Sequence, residues 1–225
     1  MSDFFKEDYE IVVKPGDMFY RYNLGANVPN HWSLEYVSPE YVFPNLGAKN
    51  KIGAFFFYNT NEAAINTLSQ ALINEQRRGV NYDVSIITRC CASKEMYMLD
   101  LSKCNWCAQI IYVLFQLGIN VVSDNFFLHQ RNRSFAALKE QFELLSSDDC
   151  ILKLRAISTI DEFFFNNKPL LCQTLTDFGN GKHFKRLLQD KGYDGYVFKE
   201  SPDGNTFCFF TSDNLSSPQQ DCIEI

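Results

Sequence analysis

The sequence predicts a single mixed α+β domain, and three observations lead there. Short apolar and aromatic runs of strand length alternate with amphipathic stretches of helix length along the 225 residues. The last two apolar runs flank Ser201-Pro202-Asp203-Gly204-Asn205, a turn that makes them an antiparallel hairpin. Aromatic residues reach 15%, with 21 Phe and 11 Tyr, which suits a sheet core with aromatic-lined pockets.

The elements follow in order. Met18 to Tyr22 reads as a strand after the turn Lys14-Pro15-Gly16-Asp17. Residues 23–50 read as a long irregular segment, a length usually kept for function. Gly53 to Tyr58 is a second strand. Asn59 or Thr60 caps a helix running to about Arg77, with Ala64, Leu68, Ala71 and Leu72 as its apolar stripe and Gly79 as its stop. Val84 to Thr88 and Met96 to Leu101 are strands. Lys103 to Leu117 is an apolar helix closed by Gly118, and Asn132 to Leu145 is an amphipathic one. Ser158 or Thr159 is expected to cap a shorter helix to Phe165, with Asp161 and Glu162 in its first turn. Lys182 to Lys191 is a helix stopped by Gly192. Tyr196 to Lys199 and Thr206 to Phe210 are the hairpin strands. The domain is expected to span 1–225, with 212–225 a flexible tail.

Composition narrows the function. Hydrophobic residues at 46% and charged residues at 21% supply a full core and exclude disorder. A net charge of −6 argues against a nucleic-acid surface, which needs concentrated Lys and Arg. It leaves room for a local positive pocket. Eight cysteines beside apolar residues read as reduced, buried thiols. The polar N-terminus and the absence of any apolar run near ~20 residues predict a protein without a membrane span. The expected location is cytoplasmic, or a target cell reached by secretion.

Several motifs are missing. There is no Walker loop, no G-x-G-x-x-G and no G-x-S-x-G elbow, which removes support from kinase, dehydrogenase and serine-hydrolase readings. His31, His129 and His183 form no metal-binding spacing. Cys104-x-x-Cys107 is the best metal-like pair, but a zinc site needs four ligands and both cysteines fall on an apolar helix. No metal is expected.

Three places carry chemistry. Arg21 sits in an apolar and aromatic strand, where a guanidinium needs an anion; a salt bridge or a solvent-facing position would serve as well. Phe55-Phe56-Phe57-Tyr58 runs into polar Asn59-Thr60 at a helix start, where Tyr58 would stack on a flat ring and Thr60 would cap or bind. A core strand followed by a helix cap explains the same residues. Gly192-Tyr193-Asp194-Gly195 tightens a helix-to-strand turn.

The order of these motifs resembles the ADP-ribosyltransferase superfamily of bacterial toxins and effectors, and the related RES-domain NAD-degrading toxins. The carriers are Phe19-Tyr20-Arg21, Phe55 to Ala64, Tyr82 to Ser102, and Gly192 to Phe198 with its hairpin into Phe207-Cys208-Phe209-Phe210. Residues 120–170 are least covered. The resemblance implies a split, mostly antiparallel β-core with surrounding helices. It implies NAD as substrate, cleaved between nicotinamide and ribose, with water or a protein side chain as acceptor. Arg21 would hold the cofactor's phosphates or ribose, and Tyr58 and Thr60 would support the nicotinamide-ribose side. Ser201 matches a serine that RES domains place after their penultimate strand.

The catalytic carboxylate departs from the pattern. Transferases place a Glu at the start of the last core strand, where this chain has Asn205-Thr206. RES domains place one inside the helix after the second strand, and the nearest register here is Ser69. Glu62 and Glu75 stand on either side of it, and Glu200, beside Ser201, is a further candidate. A protein that kept the fold and lost the acid, and that binds a partner without turnover, is the alternative.

Overall fold

The computed structural model describes residues 6–25, 31–32, 52–119, 140–173, 175 and 181–223. After a 3₁₀ turn at Lys6–Tyr9, the strands are β1 Glu10–Val13, β2 Met18–Leu24, β3 Phe55–Tyr58, β4 Ser85–Cys91, β5 Met96–Asp100, β6 Gly195–Ser201, β7 Gly204–Phe209 and β8 Gln219–Ile223. The helices are α1 Asn61–Gln76, α2 Cys107–Gln116, α3 Cys150–Phe163, α4 Lys168–Gln173 and α5 Gly181–Asp190. The fold is α+β, with an eight-stranded sheet in the order β1-β5-β6-β7-β3-β2-β4-β8. Only β5 and β6 run parallel; the other neighbours are antiparallel.

Local signals explain most boundaries. Thr60 caps α1, its Oγ1 accepting from the Ala63 amide at 3.2 Å. Gly79 and Gly192 follow helices with φ of +80° and +87°, a conformation that glycine adopts without a side-chain clash. The Gly204 turn joins β6 to β7 as the sequence indicates.

Three expectations are corrected. The helix expected from Ser158 starts at Cys150, because Asp149 caps it by accepting from the Ile151 and Leu152 amides at 2.8 and 3.2 Å. Thr159 lies inside that helix and returns its hydroxyl to the Arg155 carbonyl at 3.0 Å. The helix expected from Lys103 starts at Cys107, after a separate 3₁₀ turn at Leu101–Lys103 and extended backbone at Cys104 and Trp106. The expected tail contains β8, whose Gln219 to Ile223 pair with Arg89 to Ser85 of β4. Most of the irregular segment and residues 132–139 of the expected helix 132–145 lie outside the described residues; 140–144 are helical.

The sheet buries apolar side chains on both faces. On one face Phe19, Phe57, Val197, Phe207 and Phe209 pack together, Phe57 and Phe209 being fully buried. Each such ring contributes roughly 1.5–3 kcal/mol by burial. Trp32 stands edge-on to Phe57 at 4.8 Å on this face. On the other, Ala63, Ala64 and Leu68 of α1 meet Tyr58 and Ile87, and α2, α3 and α5 close over Tyr196 and Phe198. Lys185 of α5 ties β3 and β7 together, its Nζ donating to the carbonyls of Gly53 at 2.7 Å and Phe210 at 2.6 Å. No described helix is long and apolar enough to cross a membrane.

Gly195 marks where two strands come closest. A Cβ there would run into the Cys208 carbonyl and the Met98 methyl. Gly195→Ala is expected to destabilise the protein by roughly 1–3 kcal/mol, the usual penalty of overpacking. Denaturant titration checks this: an unchanged midpoint would refute the close approach.

Candidate functional site at the split in the sheet

The sheet is two ladders joined at one place. β2 pairs with β4 along its whole length, and β3 pairs with β7 along its whole length. Between β2 and β3 the only registered pair is Tyr20 with Tyr58. Continued in register, Arg21 would oppose Phe57, but the strands part there. The core is therefore split, and Arg21 is the first residue of β2 beyond the junction.

Arg21 is half-buried in this notch. Loss of water lowers its pKa from the ordinary value, while Tyr22, Tyr58 and Cys90 lie within electrostatic reach and oppose the shift. Among the described residues no carboxylate forms an ion pair with it. A guanidinium so placed has five donors and, among the described residues, no carboxylate to receive them.

Across the junction stands a carboxylate held by neutral donors. Tyr58 Oη donates to Glu200 Oε2 at 3.3 Å, and Thr206 Oγ1 donates to the same oxygen at 3.2 Å. Tyr58 and Thr206 are directly opposed on β3 and β7, and both are buried. Glu200 reaches them from β6, where the register shifts between Phe198 and Ser201. Its side chain keeps solvent contact, yet the surrounding protein raises its carboxyl above the ordinary range; the two donors work against that rise. The Tyr58 hydroxyl is raised strongly, first by burial and then by the charge of Glu200.

Tyr58 was expected to stack on a ligand. Its ring is 6% exposed and stacks on Tyr22, with centroids 6.2 Å apart and planes inclined by 25°. Its hydroxyl is the end that meets Glu200. Thr60 is also engaged: besides capping α1, its Oγ1 donates to the Asp203 carbonyl at 3.1 Å. Asn66 donates to Asp203 Oδ2 at 2.8 Å, and Asn59 Oδ1 accepts from the Asn205 amide at 2.7 Å. These bonds seat the β6–β7 turn on the N-terminus of α1. Gly204 permits the contact, since a Cβ there would come within 2.8 Å of Ala63, Asn59 and Thr60 atoms.

Glu62 lies exposed on the first turn of α1 and makes no hydrogen bond among the described residues. The Ser201 backbone ends β6 opposite Gly204, but its side chain lies outside the described residues. The structure joins Tyr58 to Glu200 by a hydrogen bond and sets Arg21 within electrostatic reach of Tyr58. It adds Tyr22 and Thr206, which sequence reasoning had not singled out. The one available signal was the i, i+2 spacing of Tyr20 and Tyr22, which puts both on one face of a strand.

The paired cysteines lie elsewhere. Cys104 and Cys107 are buried, and loss of water pushes both thiols up to about 12. Such thiols are unreactive. No group of three or more potential metal ligands occurs among the described residues.

The class defined by these observations is an α+β protein with a split, mostly antiparallel sheet and a charged site at the split. No protein-family model matches the sequence, and no curated protein matches it. Among solved structures, one chain from the crystal structure of the M. tuberculosis MbcT-MbcA toxin-antitoxin complex is similar. The TM-score is 0.43 and the identity 11%, over 96% of this chain and 88% of that chain.

Glu200 makes stability depend on pH. Its folded pKa is raised, so folding favours the protonated acid. That contribution is present below the ordinary Glu value near ~4.3 and is lost as pH rises through the raised folded value. Wild type should therefore lose stability relative to Glu200→Gln as pH climbs from about 4 to 7. Chemical denaturation of both proteins across that range measures it, and a stability difference independent of pH would contradict the assignment.

Proposed function

We propose that this protein is an NAD-consuming enzyme that cleaves the bond between nicotinamide and ribose. The product ADP-ribose passes to water or to a protein side chain, as in the toxins and effectors the sequence resembles. Arg21 holds the anionic diphosphate side of NAD, and Glu200 supplies negative charge at the ribose.

The observation that carries this reading is the fixed carboxylate at the split. Resembling transferases carry their Glu where this chain has Asn205-Thr206. Here Thr206 Oγ1 lies 3.2 Å from Glu200 Oε2, which supports Glu200 as the acid in its stead. Glu62, exposed on α1, has no comparable support.

The chemistry follows from charge. When the glycosidic C–N bond breaks, its electron pair leaves with the nicotinamide nitrogen and neutralises the positive ring. The ribose is left as an oxocarbenium-like cation, which an ionised Glu200 stabilises. Water then bonds to that carbon and loses a proton, giving ADP-ribose. A protein nucleophile in place of water gives transfer. Tyr58 positions Glu200 through its hydroxyl, while Thr60 holds the turn behind it. Ser201, at the end of β6, is proposed as a further hydrogen-bonding residue toward the ligand.

A second reading has its own observation. Ser69 stands where RES domains have an acid, and its hydroxyl returns to the Ile65 carbonyl at 3.0 Å. An interaction protein on this fold, binding a partner without turnover, would also tolerate a Tyr58 ring covered by Tyr22.

Incubation of the protein with NAD, followed by chromatography for nicotinamide and ADP-ribose, distinguishes the two. Wild type is expected to release nicotinamide. Arg21→Ala and Glu200→Gln should each lower release by about 100-fold or more, the scale seen when a group stabilising transition-state charge is removed. Release should rise with pH as Glu200 ionises. Undiminished release by either variant would refute its assigned role. NAD binding without release, with or without a protein acceptor, would favour the interaction protein.

A further inference from the structure

A second site lies at the other end of α1. There the last turns of the helix, the following loop and the first residue of β4 border a half-open cavity of about 220 Å³. Leu72, Ile73 and Gln76 line it from α1, Val80 and Tyr82 from the loop, and Ser85 from β4. Asn81 completes the rim.

Ser85 gives the cavity its chemistry. The residue is 3% exposed, and its Oγ has no hydrogen-bond partner among the described residues. It shares the α1-facing side of β4 with Ile87, which packs against the helix. A buried hydroxyl without a partner is a disfavoured arrangement that an entering polar group relieves. The space greatly exceeds one water's share of the liquid, about 30 Å³, and a cavity of about 150 Å³ in another protein holds a benzene ring.

The walls specify the rest of the ligand. Leu72, Ile73 and Val80 supply an apolar surface, and Ile73 and Val80 remain 41% and 38% exposed. Among the described residues no Lys, Arg, Asp or Glu lines the cavity. Glu75, the nearest buried acid in sequence, is engaged by Arg78 at 2.8 Å. An ionic ligand would meet no counter-charge among these lining residues.

We propose that this cavity binds a small neutral molecule: a single apolar ring bearing one hydroxyl, carbonyl or amide group. The polar group meets Ser85, and the ring lies against Leu72, Ile73 and Val80. The site is independent of the NAD reading. The 16 residues of α1 span roughly 24 Å, with Thr60 and the split at one end and this cavity at the other.

Titration of the full chain, labelled at Leu, Ile and Val methyls, tests the proposal with phenol as probe and toluene as the analogue lacking a hydroxyl. Methyl resonances of Leu72, Ile73 and Val80 should shift saturably with phenol. Phenol should bind about fivefold more tightly than toluene, as expected for one net hydrogen bond. Ser85→Ala should erase that preference while leaving toluene binding unchanged. Ile73→Phe, at a partly exposed position, should fill the space and abolish binding of both probes. The proposal is overturned by the absence of saturable shifts, by a phenol preference that survives Ser85→Ala, or by binding that survives Ile73→Phe. Nicotinamide release plays no part in these readings.

Discussion

Two hydrogen-bonded ladders meet at Tyr20 and Tyr58, the single registered pair between β2 and β3. Each ladder is complete on its own side, β2 being fully paired with β4 and β3 with β7. Had the pairing continued, Arg21 would face Phe57 in an ordinary sheet, and its side chain would have to find solvent or a salt bridge. The registered pairing stops instead, and Phe57, the first β3 residue past the junction, packs into the core.

Charge of both signs lies on the strands around the junction, each held by its own neighbours. Arg21 has no carboxylate among its described neighbours, and Glu200 is held by a phenol and an alcohol. Neutral donors fix the position of a carboxylate while preserving its charge. The arrangement opposes stability, because both groups are partly removed from water. The aromatic packing on the two ladders offsets it, with Phe57 and Phe209 fully buried beside the junction.

What the sequence made legible was local. Thr60 as a cap, Gly79 and Gly192 as stops, and the 201–205 turn are short-range signals, and each marks its element. Elements that depend on a distant partner were not legible. β8 reads Gln219-Gln220-Asp221-Cys222-Ile223, a poor strand by composition, and forms because β4 offers it an edge. The start of α3 was missed because Asp149 stands just outside the apolar pattern used to find the helix. Arg21, Tyr58 and Glu200 could each be singled out from residue type. Their meeting could not, since Tyr58 and Glu200 are 142 positions apart.

That distance also bears on the missing acid. A motif read along the chain finds Asn205-Thr206 and reports a loss. A sheet, however, places residues by register. Thr206 lies opposite Phe198, and the shift between Phe198 and Ser201 turns Glu200 back toward the same spot. The turn that follows is fixed to α1 through Asp203 and Asn205, with Gly204 allowing contact too close for any side chain. Glu200 is therefore positioned from two directions, by Tyr58 and Thr206 at its carboxylate and by the seated turn behind its backbone. The Glu200 carboxylate thus stands beside Thr206 because the sheet's register, and not the order of the chain, sets its place.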